Sequence, residues 1–276
     1  MRPSMKTTLM RKDFCVFILT HGRPKNVRTV QTLRNHGYTG KVYIVIDDED
    51  ESAEEYKRIY GDDVLVFSKD EVARYTDQFD NSSDRRGILW ARNVCWGLAS
   101  QVGCRYFAQL DDDYTHFSYR RTGRGHRLSS SVSDEYHSWM MRSLDTVFEA
   151  FVRLVESTPV KTIALSQGGD HIGGTPRRIR FKRKAMNSFV CSVDKPIRFL
   201  GRVNEDVTSY IFLGRIGNLF FTDMGVYLGQ LPTQSNSGGI SNIYQNIGTY
   251  VKSFYTVMAA PLSLIHISEP TRRTPI

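Results

Sequence analysis

Four short apolar runs spaced through the first 110 residues constrain this chain more than any other feature. Phe14-Cys-Val-Phe-Ile-Leu19 leads into Thr20-His-Gly-Arg-Pro24, and Lys41-Val-Tyr-Ile-Val-Ile46 leads into the acidic stretch Asp47 to Glu51. Val64-Leu-Val-Phe67 follows, and Arg105-Tyr-Phe-Ala-Gln-Leu110 ends against Asp111-Asp-Asp-Tyr114. Unbroken β-branched and aromatic runs of this length read as strands buried on both faces. Helical segments separate them. Asn26 can cap a helix to about Leu33, with Asn35-His-Gly37 as its stop; Ser52-Ala-Glu-Glu55 opens a second behind a capping serine; Ile88 to Ser100 is a third. The β-α-β-α-β-α-β series predicts an α/β fold, a mostly parallel central sheet flanked by helices. Ligands of such sheets sit outside the carboxyl ends of the strands, which is where the polar clusters fall.

The second half reads less regularly. Thr115 to Val132 is rich in Arg, Ser and Gly and reads as a loop. Ser133 to Val155 has apolar residues at Trp139, Met140, Leu144, Val147, Phe148, Phe151, Val152 and Val155, near helical period, and predicts one helix packed on the core. Thr162 to Ser166 is a short strand before the Gly-rich stretch Gln167 to Thr175, and Gln230 to Asn246 is a long polar turn. No internal repeat or heptad is present.

Composition narrows the class. The chain has 276 residues, enough for a sizeable core in one large or two small domains. Its longest apolar run falls far short of the ~20 residues of a membrane span, and no apolar stretch follows the basic N-terminus as in a signal peptide. A cytoplasmic protein is expected. Cys15, Cys95, Cys104 and Cys191 are scattered without CxxC spacing and read as reduced core thiols, against a disulfide scaffold or zinc knuckle. A formal charge of +8 points to an anionic partner.

Several constellations bear on chemistry. Adjacent Asp111, Asp112 and Asp113 repel one another, and a divalent cation such as Mg²⁺ or Mn²⁺ would relieve this. In extended chain Asp111 and Asp113 share a side and could address one metal, while Asp112 faces elsewhere. The cation could neutralise a departing nucleoside diphosphate; the alternative is a solvated acidic turn. Asp47 or Asp48 could contact a base or ribose, or simply open a helix. Arg86 and Asn93, seven residues apart, share a helical face if the helix begins early enough, and could reach a nucleotide. In Asn204-Glu-Asp206 one carboxylate could act as general base, although acids at a helix start are common without function. Arg177, Arg178, Arg180, Lys182, Arg183 and Lys184, with Arg120, Arg121 and Arg124, could track a phosphate backbone or be solvated loops.

A Thr-His-Gly-Arg-Pro loop after the first strand, an acidic second strand end, Arg and Asn upstream and an Asp-x-Asp strand end together resemble a GT-A glycosyltransferase. The likeness is closer still to the TET-associated glycosyltransferases of bacteriophages, through Phe14 to Pro24, Val42 to Asp48, Phe107 to Tyr114, Met186-Asn-Ser-Phe189, Gly201 to Val207 and Gly248 to Phe254. The resemblance spans most of residues 13 to 261. It implies transfer of a sugar from a nucleotide donor, a UDP-sugar, to 5-hydroxymethylpyrimidine, mainly 5-hydroxymethylcytosine, in phage DNA, within the host cytoplasm. By position, Thr20, His21, Arg23, Asp47, Arg86, Asn93 and Asp112 would bind the donor and Asp111 and Asp113 the metal. Asp206, or secondarily Glu205, would activate the hydroxymethyl oxygen.

Other readings are a glycosyltransferase acting on a glycan or small acceptor, and a metal-dependent DNA-binding or nuclease-like protein. One domain is expected over 1–261, a donor and metal half at about 13–114 and an acceptor half at about 115–261. Residues 262–276 change character abruptly and resemble translated adapter read-through, so that His266 takes no metal-binding role.

Overall fold

The computed structural model describes residues 9–122, 136–171, 181–183, 187–231 and 254–261. The first part runs β1 (Phe14–Leu19), α1 (Arg28–Asn35), β2 (Lys41–Asp47), α2 (Ala53–Tyr60), β3 (Val64–Phe67), α3 (Lys69–Ala73), α4 (Leu89–Gln101) and β4 (Tyr106–Asp111). There follow β5 (Tyr114–Thr122), β6 (Tyr136–Met140), α5 (Leu144–Ser157), β7 (Val160–Ser166), β8 (Phe181–Lys182), β9 (Phe189–Ser192), α6 (Glu205–Arg215) and β10 (Leu219–Gln230).

Among the described residues all ten strands join one sheet in the order β3-β2-β1-β4-β9-β7-β10-β5-β6, with β8 beside β10. The pairs β3/β2, β2/β1 and β1/β4 are parallel, as the alternation with helices requires, because a parallel return needs a crossover. β9 lies antiparallel between β4 and β7, and β10 is parallel to β7. β5 and β6 extend the far edge as an antiparallel pair. Followed through these pairings, β1, β2, β3, β4, β6, β7 and β10 point one way, so the sheet is mostly parallel and the carboxyl ends of β1, β2, β4, β7 and β10 open on one rim.

β1 explains the unbroken apolar run. Phe14, Val16 and Ile18 enter a core with Leu33 of α1 and Phe148 and Val152 of α5. Cys15, Phe17 and Leu19 enter a second core with Trp90, Trp96 and Leu98 of α4. No side chain of this strand is more than 3% exposed, so every position must be apolar. All four cysteines are buried and free. No described helix is long and apolar enough to cross a membrane.

Several local expectations are corrected. Asn26 does not cap α1; it ends a 3-10 turn begun by Pro24, and the helix starts at Arg28. Ser52 does precede α2, but its hydroxyl makes no capping bond. The stop at Gly37 has a steric reason: φ is +76°, and a Cβ there would lie 2.3 Å from the Arg142 carbonyl oxygen. Residues 136–140 form an edge strand rather than the start of a helix, and α5 begins only at Leu144. Trp139 and Met140, which fitted the helical period, are exposed on that strand. The segment 115–122 belongs to strand β5 and is not loop: it pairs with both β10 and β6, and Phe117 enters the core.

Candidate active site

The Asp triplet is held at the backbone before its side chains do anything. Leu19 of β1 registers with Asp111 of β4, so the two strand ends emerge together. Thr29 of α1 donates its hydroxyl to the Asp111 carbonyl at 2.6 Å and its amide to the Asp112 carbonyl at 3.2 Å. The Tyr114 amide in turn donates to the Thr29 hydroxyl at 3.0 Å. One threonine thus shapes the turn that keeps three carboxylates adjacent.

The three then diverge. Asp112 is buried; its Oδ2 accepts the Thr20 hydroxyl at 2.5 Å and lies 3.2 Å from the Arg23 guanidinium. Tyr56 of α2 completes this corner: its hydroxyl lies 3.0 Å from Thr20 Oγ1 and accepts the Arg23 amide at 2.8 Å. Among the described residues, Arg23 Nε is buried and makes no hydrogen bond. Asp111 takes a different set, accepting Arg92 at 3.1 Å on Oδ1 and the Asn187 amide at 2.8 Å on Oδ2. Burial pushes the Asp111 carboxyl up to about 7, opposed by Arg92 and reinforced by Asp113, Glu205 and Asp112. Asp113 has no side-chain partner among the described residues, and burial and Asp112 raise it too.

A second network follows β2. Asp47 Oδ1 lies 2.8 Å from Lys69 Nζ, and its Oδ2 accepts His21 Nδ1 at 2.9 Å. Burial would raise Asp47, but these two bonds bring it down to about 2. The same contact with Asp47 raises His21. Asp50 Oδ2 accepts the Gly22 amide at 2.7 Å, tying the loop after β1 to the end of β2.

Glu205 and Asp206 open α6. Glu205 is buried and accepts Arg92 Nε at 2.9 Å, whereas Asp206 stays part-exposed and, among the described residues, takes only the amide of its neighbour Val207, at 2.8 Å. Arg92, 1% exposed, therefore joins the β4 end to the start of α6, and among the described residues its Nη1 has no hydrogen bond.

The family model of the TET-associated glycosyltransferases matches residues 14–239. The chain belongs to this family. Among solved structures it is similar to glucosyl-3-phosphoglycerate synthase from Mycobacterium tuberculosis in complex with Mg²⁺ and uridine diphosphate, with 8% identity, 91% of this chain and 80% of that one covered, and a TM-score of 0.49. It is also similar to mannose-1-phosphate geranyltransferase from Thermus thermophilus, with 10% identity, 93% and 67% coverage, and a TM-score of 0.32. No curated protein matches the chain.

In this TET-associated glycosyltransferase, Thr20, His21, Arg23, Asp47 and Asp112 gather at the ends of β1, β2 and β4, and Asp111 faces Glu205 across Arg92. Arg86 and Asn93 do not join them. α4 begins at Leu89, so the two share no helical face; Arg86 is exposed and pairs with Asp84 at 2.7 Å. Asn93 is buried, donating to the Phe199 carbonyl at 3.0 Å and accepting the Phe199 amide at 2.7 Å, so both ends of its amide are engaged in holding that loop. Arg120 and Arg121 lie on β5, and Lys182 on β8 donates to the Asp170 carbonyl at 2.6 Å. Arg183 is exposed. Arg124, Arg177, Arg178, Arg180, Lys184 and residues 262–276 lie outside the described residues.

Sequence reasoning passed over Arg92 and Asn187. Arg92 had a usable mark, a lone cation amid Leu89, Trp90, Val94, Cys95 and Trp96, where only a paired charge survives burial. Asn187 had none beyond its place in a family motif. Among the described residues no three His, Cys, Asp or Glu side chains converge on a metal position. Of the two carboxylates at this strand end, Asp111 already accepts Arg92 and Asn187, whereas Asp113 has no side-chain partner among the described residues and is the one open to a Mg²⁺-type ion, which takes one or two carboxylates and fills its shell with substrate phosphates and water.

Proposed function

We propose that this glycosyltransferase moves a sugar from a nucleotide-sugar donor, UDP-linked, to the hydroxyl of a 5-hydroxymethylpyrimidine, mainly 5-hydroxymethylcytosine, in DNA. The observation that carries the reading is the meeting, in a chain of this family, of the Asp111–Asp113 strand end with the acidic start of α6 through Arg92. Asp111 and Asp113 would hold a divalent cation, which supplies charge neutralisation for the departing diphosphate. The Thr20, Arg23 and Asp112 corner binds the donor, and the unbonded Arg23 Nε suits an anionic group. His21 and Asp47 border the nucleoside. Asp206 takes the proton of the hydroxymethyl oxygen as that oxygen bonds the anomeric carbon, while the bond from this carbon to the diphosphate oxygen breaks and the nucleoside diphosphate leaves. Glu205, buried against Arg92, fixes the start of α6 and leaves Asp206 as the accessible base. A base inside a duplex must be extruded to reach this rim.

The test is to incubate hydroxymethylated and unmodified DNA with a panel of nucleotide sugars, digest to nucleosides and weigh them. A hexose mass is expected on the hydroxymethylated nucleoside alone, and Asp206→Asn should lower kcat by about 10²-fold or more with donor binding unchanged. No added mass with any donor overturns the reading; transfer to a glycan or small acceptor instead would move the acceptor class.

A further inference from the structure

The two faces of the β10-β5 ladder differ sharply. One face sends Phe117, Val226 and Leu228 into the core shared with α5. On the other, the register sets Tyr227 beside Ser118 and Gly229 beside His116, with Arg120 two residues further along β5. Tyr227, His116 and Arg120 remain part-exposed, as does His171 just beyond β7. The Arg120 guanidinium carbon lies 3.3 Å from the centre of the Tyr227 ring. The His116 and His171 rings stand 5.7 and 5.8 Å from it.

The sequence builds this arrangement by omission. Gly225 and Gly229 flank Tyr227 on the same face of β10, so the ring has no side chain beside it along the strand. The space at Gly229 belongs to His116: a Cβ there would lie 2.1 Å from its Cε1. His171 Nε2 is 3.1 Å from the Ser166 hydroxyl, which itself donates to the Val226 carbonyl at 2.8 Å and so anchors the imidazole to the sheet. Burial, with Arg120 nearby, lowers His171 to about 4, and burial lowers His116 as well. Both rings are neutral near pH 7, flat, and able to donate and accept.

This platform adjoins the transfer site. Gln167, next to Ser166, hydrogen-bonds Asn187, whose amide donates to Asp111. Gln230, three residues beyond Tyr227, accepts the same amide at 3.3 Å. Tyr210 of α6 is raised by burial and by the nearby carboxylates Asp206 and Asp170. A tyrosine ring with two tilted imidazoles beside it and a guanidinium over it offers the flat faces and hydrogen-bonding edges on which unpaired bases are received.

We propose that Tyr227, walled by His116, His171 and Arg120, forms the cradle for the unpaired pyrimidine of the acceptor strand. The inference rests on DNA being the acceptor but is tested apart from transfer. The probe is a pair of single-stranded oligonucleotides identical except that one carries 5-hydroxymethylcytosine where the other has an abasic site; binding is followed by fluorescence anisotropy on the full chain. Wild type should bind the base-bearing strand about tenfold more tightly than the abasic one. Tyr227→Ala should erase that preference while binding the abasic strand and the nucleotide sugar within twofold of wild type, and Tyr227→Phe should keep it. His171→Ala, which removes a wall and not the platform, should narrow the preference and serves as the second variant if Tyr227→Ala does not fold. An equal affinity of wild type for both strands, or a preference that survives both alanine variants, overturns the cradle. Wild type that prefers the base-bearing strand yet transfers no sugar would sink the transfer reading and leave the cradle standing.

Discussion

Arg92 is the residue on which most depends. Its guanidinium lies between Asp111 and Glu205, with the rings of Phe189 and Phe199 at 5.0 and 5.8 Å. Such a fully buried cation opposes, at both carboxylates, the upward push that burial gives them. Arg92→Met should destabilise the fold by about 3–5 kcal/mol, since both acids are left uncompensated, and Arg92→Lys by less, since the charge is kept although one ammonium cannot form the two-sided fork. Urea denaturation measures both, and equal stability of the methionine variant would deny the bridge any importance. The Asp triplet makes a separate prediction. Carboxylates kept adjacent by the Thr29 backbone contacts repel one another, so a cation that binds Asp111 and Asp113 should raise Tm. Mn²⁺ at 100 times its Kd would contribute about 2.7 kcal/mol. Asp113→Asn should remove most of that upward shift; a thermal scan showing identical shifts in both proteins would count against a metal at this position.

At the scale of elements, the start of α6 is positioned from outside itself. Asn204 has φ +60° and ψ 37°, a left-handed conformation costing a non-glycine residue about 1–2 kcal/mol. Its side chain offsets this by donating to the Thr256 hydroxyl at 3.0 Å, and Thr208 lies 3.2 Å from the same atom. Tyr255 reaches Asp80, which also holds Arg202 at 2.9 Å. The helical turn at 254–259 is thereby fastened to the loop that delivers Glu205 and Asp206. Asn204→Gly removes the backbone cost along with the amide, so its stability should stay within about 1 kcal/mol of wild type. Asn204→Ala keeps the strain and loses the bond, and should fall by about 1–3 kcal/mol. The order of the two Cm values in urea decides the point, and alanine matching glycine would show that the turn is not strained.

Over the whole molecule, acids gather at the strand ends while the basic residues 177–184 and 120–127 lie in sequence away from them. If the octet tracks phosphates, replacing Arg177, Arg178 and Arg180 by glutamine should lower the slope of log affinity against log salt by about 2–3, near 0.9 per contact for duplex DNA. An unchanged slope would remove the octet from the interface. The legible part of this protein was the part written in local periodicity: β1 and β3 fall where their apolar runs predicted, β2 and β4 within a residue, and Gly37 ends its helix. β5 and β6 were not legible, because an antiparallel edge pair buries one face only and Trp139 and Met140 mimic a helical stripe. The sequence by itself determined the parallel half of the sheet and the rim where polar groups collect, since strands buried on both faces must be apolar throughout and must return through helices. Only the tertiary structure decided that Arg92, not Arg86 or Asn93, reaches the carboxylates, that Asp112 turns to Thr20 and Arg23, and that Tyr227 meets two histidines and an arginine. These are contacts between residues 19 to 113 positions apart, and no spacing rule encodes which side chain a packed helix will bury against which strand end.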